Sequence, residues 1–403
     1  MRILIVSQYF EPELTAASLR LGAFATGLAE RGHEVEVLAE VPSHPGGVIE
    51  PGYRRRLVVR RRTGGYSVCH VYVWARPSKR ARTRIANYAS FAAAACAVGG
   101  LRRRRPDVIV ASSPPLSVGL AGMVLAKRFR APWVLDVRDL WPEVAVALGE
   151  LGEGPLLSAA ERLERRLYRS AAGITVTTEP FRRQISARTD SPVVVVPNGT
   201  TRAWLELGHA EADRAGAGLP TDGTYVWTYA GNIGIAQGLE SAIDAARELG
   251  DGFQLTLLGD GAELAHLRGR AGDQLGRGVV FREPVEPGRA AAVMRASDAL
   301  LVSLAPQPAL EKCVPGKLYQ CGAMRRPIIV AAAGETRALA ERESAALTVA
   351  PGDASGLADA VRRLRDEPAT AARLAEGGAR LAATSLREEG VLELERLLER
   401  VCR

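Results

Sequence analysis

Lysine is scarce in this chain of 403 residues: Lys79, Lys127, Lys312 and Lys317 stand against 49 arginines, 53 basic residues in all. Such a bias follows from a GC-rich genome, so each retained lysine hints mildly at a specific need. Cysteine is sparse too. Cys69, Cys96, Cys313, Cys321 and Cys402 are odd in number and form no CxxC pair, which argues against a disulfide scaffold or zinc ribbon and for a reducing cytoplasm. The five histidines show no metal-ligand spacing and Asp-Xaa-Asp is absent, so neither a zinc site nor an essential divalent metal is indicated. The loop after the first strand lacks a GxGxxG fingerprint, which weakens any case for NAD. A signal-peptide h-region and its cleavage site are missing from the opening residues.

A long apolar run is also wanting. Residues 85–101 are seventeen without a charge, but they are Ala-rich and carry Asn87 and Ser90 between Arg84 and Arg102. A spanning helix needs about 20 predominantly apolar residues, and positive flanks on both sides give no orientation. A helix on an anionic membrane surface and a helix buried in the first domain both remain open. Acidic residues, finally, are missing from 51–105, which holds fifteen Arg/Lys. The whole chain carries +8, so the remainder sums to −7.

What is present points to two domains, at about 100–200 residues each. Apolar residues are 47% and charged residues 24%, which excludes a mostly disordered or collagen-like chain. Short β-branched runs at 3–6, 35–38, 108–110, 134–137, 174–176 and 193–196 alternate with helical patterns such as 17–31, 116–129 and 156–170. Several runs are apolar on both faces, as buried parallel strands are. A second series opens at 225–229 and continues at 254–258, 279–281, 299–303 and 328–331. The fold class expected is therefore α/β, with two Rossmann-like doubly wound domains facing each other across a cleft and ligands beyond the carboxyl ends of the strands. The boundaries expected are 1–197, a polar Gly-rich linker over 198–223, a second domain over 224–387, and a helix over 388–403 that packs back on the first domain.

Candidate chemistry lies in the loops. Thr15 and Ala17 belong to the first strand–helix loop, where small residues let backbone N–H groups approach an anion, although an ordinary turn would look the same. In the second half, Gly231, Asn232, Gly234 and Gln237 follow a strand directly, an arrangement suited to a phosphate beside a helix start. Asp260 sits between Gly259 and Gly261 at the next strand end. Pro315-Gly316 sets a turn that places Lys317 in the first turn of a helix, a poor position for a cation unless an anion binds there; the alternative is a surface lysine lying along the helix. Around Trp141, the run Asp136, Arg138, Asp139 and Glu143 gathers charge at a strand end, with a structural Asp136–Arg138 pair and an Asp139 cap as the bland reading. His44 lies in a Pro/Gly-rich loop, where a lone histidine is more often bland than catalytic.

These strings together resemble the GT-B glycosyltransferases of family 4, and within them the bacterial exopolysaccharide and aminosugar transferases. The resemblance runs nearly end to end through Tyr9-Phe10-Glu11-Pro12-Glu13, Asp139-Leu140-Trp141-Pro142-Glu143, Val196-Pro197-Asn198-Gly199, Gly231-Asn232-Ile233-Gly234, Gly259-Asp260-Gly261 and Pro315-Gly316-Lys317-Leu318-Tyr319. It implies a retaining transferase that moves a sugar from a nucleotide-diphosphate donor, a UDP-sugar in preference with a GDP-sugar as the alternative, without metal or cofactor. The acceptor it implies is a small natural-product scaffold or a lipid-linked saccharide. Donor contacts would come from Gly231, Asn232, Gly234, Gln237, Asp260, Arg282, Lys317, Leu318 and Gln320, and acceptor contacts from Thr15, Ala17, Arg138 and Glu143. Lys317, His44 and Asp139 are the catalytic candidates. The sequence departs from the wider family: Asn232 and Gln237 stand where many members carry Arg and Lys, Lys312 and Gln320 where they carry two glutamates, and Gly316 where they carry serine.

Two other readings compete. The departures at Lys312 and Gln320 suit a membrane-surface or ligand-binding protein whose transferase site has decayed. The arginine runs at 54–56, 60–62 and 102–105 would suit nucleic acid, but no recognised binding module accompanies them, and an anionic membrane face ranks above it. A cytoplasmic protein, peripheral on the inner membrane face, is the location expected.

Overall fold

Strands that are apolar on both faces need helices on both sides, and both halves of the chain meet that need. The computed structural model describes residues 1–403 except 14, 44, 45, 79, 80 and 150, so His44, a catalytic candidate from the sequence, lies outside the described residues. The chain divides into one unit of Met1–Pro197 with Arg387–Arg403 and another of Asn198–Leu386.

The first unit is built on strands β1 (Arg2–Val6), β2 (Glu34–Glu40), β3 (Val58–Thr63), β4 (Tyr66–Val71), β5 (Val108–Ser113), β6 (Trp133–Val137), β7 (Gly173–Val176) and β8 (Val193–Val195), in the order β3-β4-β2-β1-β5-β6-β7-β8. All neighbours are parallel except β3 and β4. The order reverses between β1 and β5, the position where a doubly wound sheet opens a crevice at its carboxyl edge. The β3–β4 hairpin turns on Gly64 and Gly65, both at positive φ. It explains one charge run: Arg60, Arg61 and Arg62 are exposed on the edge strand, where charge blocks pairing with another sheet.

Helices α1 (Ala16–Glu30), α2 (Ala81–Gly100), α3 (Leu116–Phe129), α4 (Glu143–Ala147), α5 (Pro155–Ser170) and α6 (Glu179–Ser186) connect these strands. The apolar segment near residue 90 is α2. Phe91 and Ala95 on it are fully buried, and it packs on α3. Among the described residues no helix is long and apolar enough to cross a membrane.

The helix α15 (Arg387–Cys402) belongs to this first unit and packs on α1. Val391, Leu394, Leu397 and Leu398 enter one core with Ile3, Ile5, Leu21 and Phe24. Gly27 permits the close approach, since a Cβ there would lie 2.8 Å from a methyl of Val391. Glu395 closes the contact by accepting from Arg31 Nε at 2.6 Å and pairing with His33 Nε2 at 2.7 Å.

The second unit repeats the plan with parallel strands β9 (Tyr225–Ala230), β10 (Phe253–Leu258), β11 (Val279–Arg282), β12 (Ala299–Ser303), β13 (Ile328–Ala331) and β14 (Leu347–Val349), ordered β11-β10-β9-β12-β13-β14. Its helices are α7 (Arg202–His209), α8 (Glu240–Leu249), α9 (Leu264–Ala271), α10 (Pro287–Ala296), α11 (Gly316–Ala323), α12 (Gly334–Arg342), α13 (Ala354–Asp366) and α14 (Pro368–Thr384).

One expectation is corrected here. The passage 198–223 is no free linker: α7 packs on α10 and α11, and Ala217 and Leu219 are buried with Val226 and Leu258. Arg214 ties the passage down, donating to Asp298 Oδ1 at 2.8 Å and to the Thr224 carbonyl at 2.8 Å. Its polar, Gly-rich composition concealed these anchors because each rests on one or two residues.

Candidate functional site

In the second unit, three chain turns converge at the carboxyl ends of β9 and β10. After β9 the chain bends at Gly231, at φ +136°, and after β10 at Gly259, at φ +148°, conformations that only glycine adopts without strain. The two turns bond backbone to backbone: Gly231 N–H donates to the Leu258 carbonyl at 2.8 Å and Ile233 N–H to the Asp260 carbonyl at 2.8 Å. A Cβ on Gly259 would run into the Gly231 backbone, and one on Gly261 into that of Ile233. Glycine at these places is what lets the loops touch.

Side chains then fix the first loop. Gln237 Oε1 accepts from Gly234 N–H at 3.1 Å and from Asn232 Nδ2 at 3.2 Å. The Tyr229 hydroxyl donates to the Asn232 carbonyl at 2.6 Å. Asp260 orders the second loop by accepting from Gly261 N–H at 2.7 Å. The two amides thus brace their own loop.

Lys317 completes the group. It lies in the first turn of α11, whose cap is Pro315, and its ammonium reaches back to β9. Nζ donates to the Ala230 carbonyl and sits 4.4 Å from the centre of the Tyr229 ring. A Cβ on Gly231 would collide with that ammonium. The residue as a whole keeps some exposure, but burial around Nζ pushes its pKa down to about 8, against a weak opposing pull from Cys321. A cation short of hydration thus sits at a helix start, whose first N–H groups lack the usual intrahelical acceptors, a combination chemically suited to an anion. The preceding loop is held from both sides: Asn198 Nδ2 donates to the Val314 carbonyl at 3.1 Å, and Thr336 Oγ1 to that of Cys313 at 2.6 Å.

Two predicted donor residues are placed differently. Leu318 is fully buried in the core under α11, and its N–H donates to the Pro315 carbonyl at 3.0 Å, so neither is turned to a ligand. Arg282 donates to the carbonyls of Ala217 and Gly218 and thereby locks the passage before β9. Gln320 is half-buried on α11, and its amide has no hydrogen-bond partner among the described residues.

In the first unit, Asp136 at the end of β6 is fully buried and pairs with Arg20 of α1 at 2.9 Å, not with Arg138. Ser112 Oγ and Thr175 Oγ1 also donate to it, each at 2.8 Å. Burial alone would raise this carboxyl, yet the Arg20 guanidinium and these donors hold it below the usual carboxylate range. Arg20 further donates to the Val196 carbonyl at 2.8 Å and that of Pro197 at 3.0 Å. The pair is a clamp inside the unit, and nothing in the sequence marked Arg20 among so many arginines.

Arg138 instead donates to Ser112 Oγ at 3.0 Å and to the Pro114 carbonyl at 2.8 Å. Burial raises the Asp139 carboxyl while Arg138 draws it back. Glu143 opens α4 and accepts from Gln184 Nε2 at 3.1 Å. Thr15 is the N-cap of α1, accepting from Ser18 N–H at 3.0 Å, and Ala17 is buried beneath it.

Sequence reasoning missed a buried polar knot beside these. Gln8 Nε2 donates to Glu40 Oε2 at 2.5 Å and to Asn87 Oδ1 at 2.8 Å, and Ser43 Oγ to Glu40 Oε1 at 3.0 Å. Burial, then the neighbouring Glu13, push the Glu40 carboxyl well above its ordinary range. A glutamate closing the apolar run Val37-Leu38-Ala39 was the available signal. Of possible metal ligands, Glu240, Glu263 and His266 bring one ligand atom each within 4.8 Å of one another, partly exposed between α8 and α9; no step below runs through them.

Comparison with known proteins supplies the context. Residues 15–199 match the Glycosyl transferase 4-like domain and residues 224–367 the Glycosyl transferases group 1 domain. The putative colanic acid biosynthesis glycosyl transferase WcaI of Escherichia coli is 30% identical over 267 residues, which are 62% of this chain and 63% of that protein, so the match spans just under two thirds of its length. The 2-deoxystreptamine glucosyltransferase of Streptomyces kanamyceticus is 29% identical over 73% of this chain and 78% of that protein. Among solved structures, sucrose-phosphate synthase from Thermosynechococcus elongatus superposes with a TM-score of 0.75 at 19% identity, over 99% of this chain and 98% of that one. Anabaena HepE in complex with UDP and glucose gives 0.72 at 16%, over 99% of both. These two show the likeness of fold.

Proposed function

Because the chain belongs to the family-4-like GT-B glycosyltransferases, we propose that it transfers a sugar from a UDP-sugar, with retention and without a bound metal, to an aminosugar-type natural-product scaffold or a lipid-linked saccharide. The observation that carries this is the ammonium of Lys317, held on Tyr229 and Ala230 at the N-terminus of α11. Breaking the bond between the sugar's anomeric carbon and the phosphate oxygen makes one further negative charge grow on a diphosphate that is already anionic. Preorganised donors stabilise such charge without rearranging when it forms.

In this reading Lys317 and the backbone N–H groups around Gly231–Gly234 take the diphosphate. On binding, the phosphate oxygens replace Ala230 as partners of Nζ and restore the ammonium's full basicity. Gln320 addresses the ribose hydroxyls with an amide that both donates and accepts. The sugar, as an oxocarbenium-like centre, is attacked on the face the diphosphate leaves. Arg138, Asp139 and Glu143 are assigned to the acceptor. Support for the nucleotide comes from HepE, solved with UDP and glucose, and for the acceptor class from the 2-deoxystreptamine glucosyltransferase.

The test is a thermal-stability shift with UDP, GDP and ADP. A nucleotide at 100 times its dissociation constant adds about 2.7 kcal/mol. UDP is expected to give the largest shift, and no shift with any of the three overturns the reading.

A further inference from the structure

The outer face of the first unit carries a second feature that the transfer does not use. On α5, Arg162, Arg165, Arg166 and Arg169 fall at i, i+3, i+4 and i+7, one stripe of a helix, and with Ser170 they line an open depression of about 330 Å³. All four are exposed, and none forms a salt bridge among the described residues. The acids of α5 are withdrawn from this stripe: Glu164 is buried, taking the Tyr168 hydroxyl at 2.8 Å, and Glu161 is half-buried.

The stripe continues sideways. Helix α5 packs on α3 and α3 on α2, so the three form one layer over the sheet. Exposed Lys127 and Arg128 end α3, and exposed Arg103, Arg104 and Arg105 follow α2. The same three helices and the residue after α2 also carry aliphatic side chains open to solvent: Leu101 at 84% exposure, Leu156 at 49%, Val124 at 42% and Ile85 at 41%.

We propose that the α2–α3–α5 layer is a docking surface for an anionic lipid bilayer. Cations dominate this surface, with Arg104 alone of those named paired to an acid, Glu34 at 3.2 Å, and long-range attraction to acidic headgroups acts within about a Debye length of 8 Å at physiological salt. Interspersed aliphatic groups gain by entering the headgroup–acyl boundary, whereas a nucleic-acid backbone offers them no partner. The surface is distinct from the run at 54–62, which lies on and before the edge strand β3, and its central stripe lies outside the 51–105 segment altogether.

Co-sedimentation of the full chain with vesicles tests this, independently of donor binding. The chain is expected to pellet with phosphatidylcholine vesicles containing 30% phosphatidylglycerol, at least tenfold more strongly than with phosphatidylcholine alone, and to lose most of the difference at 1 M salt. The variant R162E/R165E/R166E/R169E is expected to lose at least tenfold in partitioning. R277E/R289E/R373E/R380E, with the same net charge but changes in the second unit, is expected to keep it. Should the first variant unfold by circular dichroism, R165Q/R169Q serves, with a loss of severalfold. Equal losses in the two reversal variants would mean net charge alone, and overturn the proposal. So would equal pelleting with neutral vesicles, no pelleting at low salt, or retention of duplex RNA without vesicle binding.

Discussion

The Lys317 ammonium rests 4.4 Å from the centre of the Tyr229 ring. The ring supplies a negative face but no hydrogen bond, and one carbonyl supplies the rest. That environment stabilises a cation less well than water does, which is why its pKa falls to about 8; in the proposed function a diphosphate would supply what is missing.

Lys317→Ala is expected to lower kcat/KM by on the order of 100-fold, the scale for one preorganised charge-stabilising donor, with unchanged circular dichroism. Unchanged kcat/KM would remove Lys317 from the mechanism.

The same group sets a pH dependence. Nucleotide binding requires the charged ammonium, so affinity of the free protein for UDP is expected to fall as pH rises through about 8. Calorimetric titration between pH 6.5 and 9.5 checks this; in Lys317→Arg, which stays charged throughout, the fall should vanish even if overall affinity is lower.

Gly259→Ala places a methyl against the Gly231 backbone at φ +148°. Strain at such positions is worth about 1–3 kcal/mol, and the loop is expected to move away from Gly231 to relieve it. The expected result is a lowered Tm together with a weakened UDP-induced shift. A lowered Tm with full nucleotide binding would show that the loop contact serves stability alone.

Arg20→Ala leaves the Asp136 carboxylate buried without its cation, a change of the kind that costs about 3–5 kcal/mol. Because Asp136 is depressed when folded, the pair's contribution is present above the unfolded carboxylate range and is lost as pH falls through the folded value. Urea unfolding at pH 7 and in acid should therefore separate wild type from Arg20→Ala most widely at neutral pH.

Glu40 has the opposite sign. Its folded pKa is raised, so its carboxyl favours the folded state most at low pH, and that advantage is lost as pH climbs from its ordinary value of 4.5. Glu40→Gln is expected to flatten this loss and to be more stable than wild type at pH 7, as urea midpoints would show. Gln8 Oε1, buried without a partner among the described residues, is available to accept from the new amide.

The two doubly wound units were legible because buried parallel strands leave β-branched runs between helical periods, and the strand-end glycines marked the loops that meet after β9 and β10. The place of Lys317 in the first turn of α11 was legible too, since Pro315-Gly316 sets the turn before it. The role of Arg20 was not, because its partner lies 116 residues away and one arginine in an apolar helix has no local signature. Arg282 and Leu318 looked like ligand contacts by their place in a motif, and only packing revealed what each holds. The α5 stripe escaped notice because Glu161 and Glu164, whose burial the sequence does not show, halve the charge of its four arginines on paper.

The placement of Val391, Leu394, Leu397 and Leu398 among the first unit's core residues bears on the order of synthesis. A ribosome produces 189 residues of the second unit between Pro197 and the helix that the earlier sheet is waiting for. Until those leucines emerge, α1 keeps an uncovered oily flank. The early product must therefore wait, half-dressed, while its younger neighbour folds, and a chaperone that shields that flank would find its longest engagement there.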